Sequence, residues 1–137
     1  MGLLEYIGEI MNPGKTGTVD ITKRKRKKYE IHLGMLIGKT ILSIAIVSIL
    51  YYFFCGMSFQ WKESLLFVSG ITIYSVIGYY ILPKPDYTNL GWFGGFFDNP
   101  FKISDDVNRM LILARVVLSP GRLISTTVLY WIDVLKR

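Results

Sequence analysis

The sequence predicts an all-α membrane protein, in which a two-helix transmembrane hairpin follows an N-terminal amphipathic helix and precedes two C-terminal interfacial helices. Two uncharged stretches, residues 40–61 and 64–83, predict the hairpin, and only Lys62 and Glu63 separate them. Each stretch is long enough to cross a hydrocarbon layer of about 30 Å as a helix. Hydrophobic residues make up 51% of the 137 residues and aromatic residues 15%, which favours a membrane protein over an average soluble domain.

These patterns divide the chain into six predicted segments. They are a cytoplasmic amphipathic helix with a polybasic segment (residues 1–30), the first transmembrane helix (31–57), an external loop (58–63), the second transmembrane helix (64–83), an interfacial loop rich in glycine and aromatic residues (84–103), and two amphipathic interfacial helices (104–137).

The N-terminal segment carries apolar residues at helical spacing, and Asn12-Pro13-Gly14 is expected to end this helix. The apolar positions are Leu3, Leu4, Ile7, Ile10 and Met11. Because so short a helix is marginal alone, it needs a surface to lie on, either a membrane or a partner. Residues 15–28 show no apolar period and are predicted to be extended, or disordered until bound.

Basic residues predict the orientation in the membrane. Eight of the sixteen lie in residues 1–39, one lies between the two apolar stretches and seven follow the second stretch. Since short basic loops stay in the cytoplasm, both termini are expected there, most simply in a bacterial inner membrane. We expect some of these basic residues to bind the headgroups of anionic lipid. They are Lys23, Arg24, Lys25, Arg26, Lys27, Lys28 and Lys39. No nucleic-acid partner is expected, because residues 15–28 offer no recognition fold.

Small residues within the apolar stretches predict close helix packing. Gly34 and Gly38 form a GxxxG pattern, and Gly70 and Gly78 lie eight residues apart in the second stretch. Small residues let helix backbones approach each other in lipid. The same glycines serve packing within the hairpin or a homo-oligomer, and the sequence leaves both possibilities open.

A loop after the second stretch combines pliable glycines with aromatic side chains that require burial. We expect it to lie in the membrane interface, on the hairpin or in a groove of another subunit. The predicted partner-docking residues are Trp92, Phe93, Phe96, Phe97, Phe101 and, near the C-terminus, Trp131.

The last third of the chain predicts two helices. Ser104 is the expected N-cap of the first, and Ser119-Pro120-Gly121 is expected to separate it from the second. Neither apolar segment is long enough to cross a membrane, and Arg115 lies within the first. We therefore predict that both lie in the interface.

Sequence motifs for phosphate binding, metal binding or catalysis are weak. Gly14-Lys15-Thr16 has Glu9 where a phosphate-binding loop requires its first glycine, and no buried strand precedes it. His32 is the single histidine, which leaves no zinc-binding set or catalytic triad. The sequence thus predicts no cofactor, no metal and no catalytic residue.

These observations favour a non-catalytic membrane subunit that anchors or scaffolds a larger membrane protein complex, with other membrane protein subunits as partners. The alternative is a self-oligomerising membrane-active protein, holin-like or a depolarising effector. A third hypothesis is an enzyme acting on lipid headgroups through Asp98, Asp105 and Asp106.

Overall fold

The computed structural model describes residues 3–21, 32–56, 60–89 and 103–136. It is mostly helical, and the predicted helical class is confirmed. In chain order, the elements are α1 (Leu3–Met11), β1 (Thr18–Ile21), α2 (Leu33–Cys55), α3 (Trp61–Tyr80), β2 (Ile81–Lys84), a 3-10 turn (Tyr87–Asn89) and α4 (Ile103–Leu135).

Residues directly after α1 and α2 explain where these two helices end. The turn Asn12-Pro13-Gly14 follows α1 directly, as the breakers in the sequence predict. Gly56 follows α2 with a φ of 68°, and its N–H donates to the Tyr52 carbonyl at 3.0 Å. Glycine adopts a positive φ without a steric penalty, so it is a favourable residue at a helix C-terminus.

The prediction that the second apolar stretch forms one helix as far as Pro83 is wrong. The helix ends at Tyr80, and residues 81–84 form β2, which pairs antiparallel with β1 so that Ile21 lies opposite Ile81. Pro83 has no N–H and disfavours a helical conformation at Leu82. The partner strand comes from residues 18–21, a segment predicted only as extended or disordered, and Asp20 forms an ion pair with Lys84.

The predicted pair of C-terminal helices is also wrong, because α4 runs without interruption from Ile103 to Leu135 and contains Pro120. Gly121 lies against Tyr74 of α3, where an added Cβ would be 2.9 Å from the Tyr74 carbonyl oxygen. Packing against a neighbouring helix compensates for the backbone hydrogen bond that a proline removes. Gly121 is therefore a contact residue and not a helix terminator.

The chain divides into two compact units. The polar unit contains α1, β1, β2, the 3-10 turn and α4 as far as Val117. The helical unit contains α2, α3 and α4 from Leu118 onward.

Asn108 is the centre of the polar unit and is 0% exposed. Its side-chain oxygen accepts hydrogen bonds from the amides of Gly17, at 2.7 Å, and Asp86, at 3.0 Å. Its side-chain nitrogen donates to the Lys15 carbonyl at 3.0 Å. Only glycine fits at position 17, because a Cβ there would collide with the Lys84 carbonyl. One amide side chain thus joins α4 to the segments that flank β1 and β2.

Glu9 joins α1 to the N-terminus of α4. One carboxylate oxygen accepts hydrogen bonds from the backbone N–H of Ser104, at 3.2 Å, and from its hydroxyl, at 3.0 Å. The other oxygen accepts from the Gly14 amide at 2.7 Å. Since α4 begins at Ile103, Ser104 lies inside the first turn and is not the N-cap that the sequence predicts. A carboxylate from α1 stabilises that helix end instead, with a charge that complements the helix dipole.

The turn after β2 is held by Asp86. Its carboxylate accepts hydrogen bonds from the Thr88 hydroxyl, at 2.6 Å, and from the Thr88 amide, at 2.9 Å. These bonds favour the charged form and lower the pKa of the Asp86 carboxyl below its ordinary value. The following Tyr87 accepts a hydrogen bond from Arg115 of α4 at 3.0 Å. The turn is thereby attached to α4 as well.

We expect Asn108→Ala to lower the free energy of unfolding by about 1–3 kcal/mol for each amide that stays buried without an acceptor. Faster hydrogen exchange at the Gly17 and Asp86 amides, with a lower melting temperature in detergent, measures the effect. Asn12→Ala is the matched control, since Asn12 is exposed and surface substitutions change stability little. Equal melting temperatures for the two variants would contradict the role given to Asn108.

Candidate helix-docking groove and apolar surface

Large apolar side chains of α2 face outward. Ten of them are exposed, including Ile41 (64%) and Phe53 (80%), whereas Leu36 and Cys55 are the buried hydrophobic residues of the described chain. Helix α3 shows the same pattern, with Leu65 and Leu66 among its exposed side chains. In water, a contiguous apolar surface of this extent is unusual for a folded protein.

Among the described residues, two helices, α2 and α4, are long and apolar enough to cross a membrane. The prediction that no apolar segment after Ile103 reaches that length is wrong, because α4 is one continuous helix. In each of the helices α2 and α4, only 11% of the most apolar 18-residue window is buried. The core helix of a soluble protein is mostly buried instead. Helix α3 is not one of these two, although residues 64–83 were predicted to span. It includes Lys62 and Glu63 in its first turn, and the apolar residues Ile81 and Leu82 belong to β2.

Hydroxyl groups and glycines lie at the contacts inside the helical unit. The hydroxyl oxygens of Ser43 on α2 and Thr127 on α4 are 3.3 Å apart, and both residues are buried. The Trp131 indole N–H donates to the Thr40 hydroxyl at 2.8 Å. Ser75 of α3 is buried with no hydrogen-bond partner for its hydroxyl among the described residues. The helical unit therefore has small and polar side chains inside and large apolar ones outside.

An apolar groove lies between α2 and α3, with a volume of about 650 Å³. We call it the α2–α3 groove. Glu63 and Cys55 mark one end, where the Cys55 thiol donates to the Glu63 carbonyl at 3.8 Å. Gly70 forms part of one wall, and an added Cβ there meets no atom within 4 Å. The remaining lining residues are Ile46, Leu50, Phe54, Leu66, Phe67, Ile71, Tyr74 and Pro120.

The four glycines predicted to pack helices lie in different environments. Gly78 is buried at the crossing of α3 and α4, where a Cβ would be 2.8 Å from the Arg122 nitrogen and 2.9 Å from the Leu118 oxygen. At Gly34, Gly38 and Gly70 a Cβ would meet nothing within 4 Å. Gly78 thus has its neighbour within the chain, and the other three face open space.

Lys39 and Trp131 are the remaining predicted site residues that the structure describes. The Lys39 ammonium lies 5.3 Å from the centroid of the Tyr130 ring, a cation–π geometry. Trp131 is half-buried against Thr40, and its docking role stays a prediction. Outside the described residues lie Lys23, Arg24, Lys25, Arg26, Lys27, Lys28, Trp92, Phe93, Phe96, Phe97 and Phe101.

Several contact residues were not predicted from the sequence. Thr127 was predicted to lie on an interfacial helix, and Gly121 was interpreted as a breaker. The available signal was a hydroxyl or glycine within an apolar segment, because such residues are enriched where helices meet in lipid. That signal does not say which helix supplies the opposite surface.

Gly78→Ala is expected to lower the free energy of unfolding by about 1–3 kcal/mol, because the new methyl group would press on the backbone of α4. Gly70→Ala is the matched control in the same helix. It is expected to be neutral or to stabilise by up to about 1 kcal/mol, because alanine has the higher helix propensity and the site is open. Thermal unfolding in one detergent compares the two, and a Gly78→Ala protein as stable as Gly70→Ala would contradict the close crossing.

Comparison with protein-family models yields no match, and comparisons with curated proteins and with solved structures likewise yield none. The features of the described chain that bear on function are the outward apolar surface of the helical unit and the α2–α3 groove.

Proposed function

We propose that the chain is a small integral membrane protein, of a bacterial inner membrane, that anchors or scaffolds a larger membrane complex without catalysing a reaction. The inverted distribution of side chains in the helical unit supports a lipid environment. Fully burying one Leu, Ile or Phe side chain away from water contributes about 1.5–3 kcal/mol, so ten exposed apolar residues on α2 alone strongly favour a non-aqueous solvent. Buried Ser43 and Thr127 fit the small and polar contacts of helices in lipid.

In this proposal α2 and α3 cross the membrane as a hairpin. Helix α2 is long and apolar enough to cross. Residues 64–80 of α3 are uncharged, and 17 residues reach the lower end of the spanning range. Lys62 and Glu63 then lie beside the external loop, and the Tyr51 hydroxyl of α2 is 2.9 Å from the Ser64 hydroxyl of α3. The basic residues on both sides of the hairpin favour cytoplasmic termini.

Helix α4 is proposed to lie along the cytoplasmic interface rather than to cross. Its contacts with α2 involve residues 39–43, in the first half of that helix. Its contacts with α3 involve Tyr74 and Gly78, near the end of that helix. Both sets belong to the end of the hairpin that carries the termini, and Arg115 and Arg122 within α4 oppose its insertion.

The α2–α3 groove is the observation that carries the anchoring role. Its lining is almost entirely apolar, and Glu63 is its one carboxylate. From Glu63 to Tyr74 it follows α3 for about 16 Å at 1.5 Å per residue, which is about three helical turns of a partner. Gly70 leaves room for another backbone to approach. We therefore propose that a transmembrane helix of a partner subunit packs in this groove.

The alternative function, a self-oligomerising membrane-active protein, has one observation in its favour. Gly34 and Gly38 form a GxxxG pattern on α2, and both face open space. Small residues at this spacing support helix dimers in lipid. Autonomy distinguishes the two functions, since a membrane-active protein collapses the membrane potential when it is overexpressed alone, and a scaffold does not.

Membrane topology is tested by single cysteines in a Cys55→Ala background. In intact cells an impermeant thiol reagent is expected to label Gln60→Cys and to leave Thr88→Cys and Lys136→Cys unlabelled. Labelling at Thr88→Cys would contradict the α2–α3 hairpin in favour of crossings by α2 and α4. Labelling at Lys136→Cys would indicate a third crossing, and release of the protein by alkaline carbonate would refute membrane insertion altogether.

Partner binding is tested with Gly70→Leu, which fills the groove at a position where the chain itself has room. We expect this variant to insert normally and to lose its co-purifying membrane subunits in mild detergent, as measured by quantitative mass spectrometry. Gly34→Leu is the matched control, because it is equally open and lies outside the groove. Loss of self-association in Gly34→Leu, with no partner lost in Gly70→Leu, would support the alternative function instead.

A further inference from the structure

We propose that α4 is a hinge, which bends directly before Pro120 so that the polar unit changes its orientation while the C-terminal part of α4 stays packed on α2 and α3. This goes beyond the proposed function and does not depend on a partner in the α2–α3 groove. Three observations carry the proposal: the proline itself, the division of the chain at the same place, and the distribution of contacts along α4.

Proline weakens the backbone of α4 at one point. Pro120 has no N–H to donate to the carbonyl of Val116, four residues earlier, and the proline ring crowds that carbonyl. Sharp bends in long helices lie most often at a proline for this reason. Within the 33 residues of α4, the turn that precedes Pro120 is therefore the one that bends most easily.

The division between the two compact units falls in the same turn. The polar unit includes α4 as far as Val117, and the helical unit includes it from Leu118 onward. This division reflects the packing of the whole chain and not the position of the proline, so the two observations are independent. A bend directly before Pro120 would therefore move the polar unit as one body.

The first half of α4 is bonded within the polar unit. Ser104 donates to Glu9 of α1, and Asn108 bonds the segments that flank β1 and β2. Further along the helix, Arg115 donates to the Tyr87 hydroxyl at 3.0 Å. All of these residues belong to the polar unit, and each lies before the turn that contains Pro120. A bend in that turn leaves their hydrogen bonds intact.

The second half of α4 is held by α2 and α3. An added Cβ at Gly121 would be 2.9 Å from the Tyr74 carbonyl oxygen, so these two helices are in close contact. The Trp131 indole donates to the Thr40 hydroxyl at 2.8 Å, and this hydroxyl donates in turn to the Leu36 carbonyl at 2.8 Å. These contacts lie within the helical unit and fix the C-terminal part of α4. Bending therefore moves the N-terminal part.

A second junction of the two units permits the same movement. Helix α3 ends at Tyr80, and β2 begins at the next residue, Ile81. Residues at the ends of helices and strands commonly absorb the φ and ψ changes of a hinge. A change of backbone conformation at this junction can thus accompany the bend in α4.

Distances between pairs of spin labels test the bend in the full chain. In a Cys55→Ala background, one pair is placed at Met110→Cys and Val128→Cys, on opposite sides of the proline. Both residues are exposed, and they are 18 residues apart, which places them on the same face of α4. The matched control pair is Met35→Cys and Phe53→Cys, which are also exposed and 18 residues apart, in the proline-free helix α2.

Double electron–electron resonance in detergent is expected to give a distance distribution about twofold wider for the α4 pair than for the α2 pair. Pro120→Ala restores an N–H to this turn, and we expect it to narrow the α4 distribution to the width of the α2 distribution. The comparison of the two pairs in the chain that retains Pro120 decides the proposal even if Pro120→Ala does not fold.

A third pair tests whether the bend reorients the polar unit. It combines Phe53→Cys, in the helical unit, with the exposed Thr88→Cys, in the polar unit. We expect more than one distance in the chain that retains Pro120, and a single distance in Pro120→Ala.

Three results would overturn the proposal. Equal widths for the α4 and α2 pairs would show that α4 is as rigid as a helix without proline. An α4 distribution that stays equally wide in Pro120→Ala would show that the proline is not the cause. A single distance between positions 53 and 88 in both chains would show that the polar unit does not change its orientation.

Discussion

Close contact between the backbones of α3 and α4 at Gly78 and Gly121 is the constraint on which the helical unit depends. It holds α4 against Tyr74 beside Pro120, a position at which an isolated helix would tend to break. Because α4 continues through that proline, Thr127 and Trp131 come into register with Ser43 and Thr40 of α2. A side chain in place of either glycine would separate the helices and misalign these contacts.

Glycines and hydroxyl groups form the contacts between the helices of the helical unit, and the large aliphatic side chains lie on its outside. In water such an arrangement would lose the main driving force of folding, whereas in lipid the association of helices depends on close packing instead. The exposed face of α2 and the open α2–α3 groove therefore support the proposed membrane location. The groove also supports the proposal that a partner helix packs there. Gly70, in an open wall, and Gly78, against the backbone of α4, lie in different environments on the same helix.

The polar unit is organised by hydrogen bonds rather than by an apolar core. Asn108 binds three backbone groups from two distant segments, and Glu9 brings α1 to the start of α4. Both side chains act at positions where buried backbone amides need acceptors, which makes them costly to remove. A unit held from within by polar groups leaves the apolar side chains of α1 exposed.

The sequence by itself determined the helical class, the approximate extent of α2 and the apolar surface of α1, because apolar runs, helical periodicity and breakers such as Pro13 act locally. Only the tertiary structure decided that Ile81 and Leu82 pair with the earlier strand β1, opposite Ile21 and Asp20, that α4 passes through Pro120, and that Glu9 rather than Ser104 stabilises its N-terminus. Those outcomes depend on partners far away in the chain. A local pattern shows that a residue needs a partner without showing which segment supplies it.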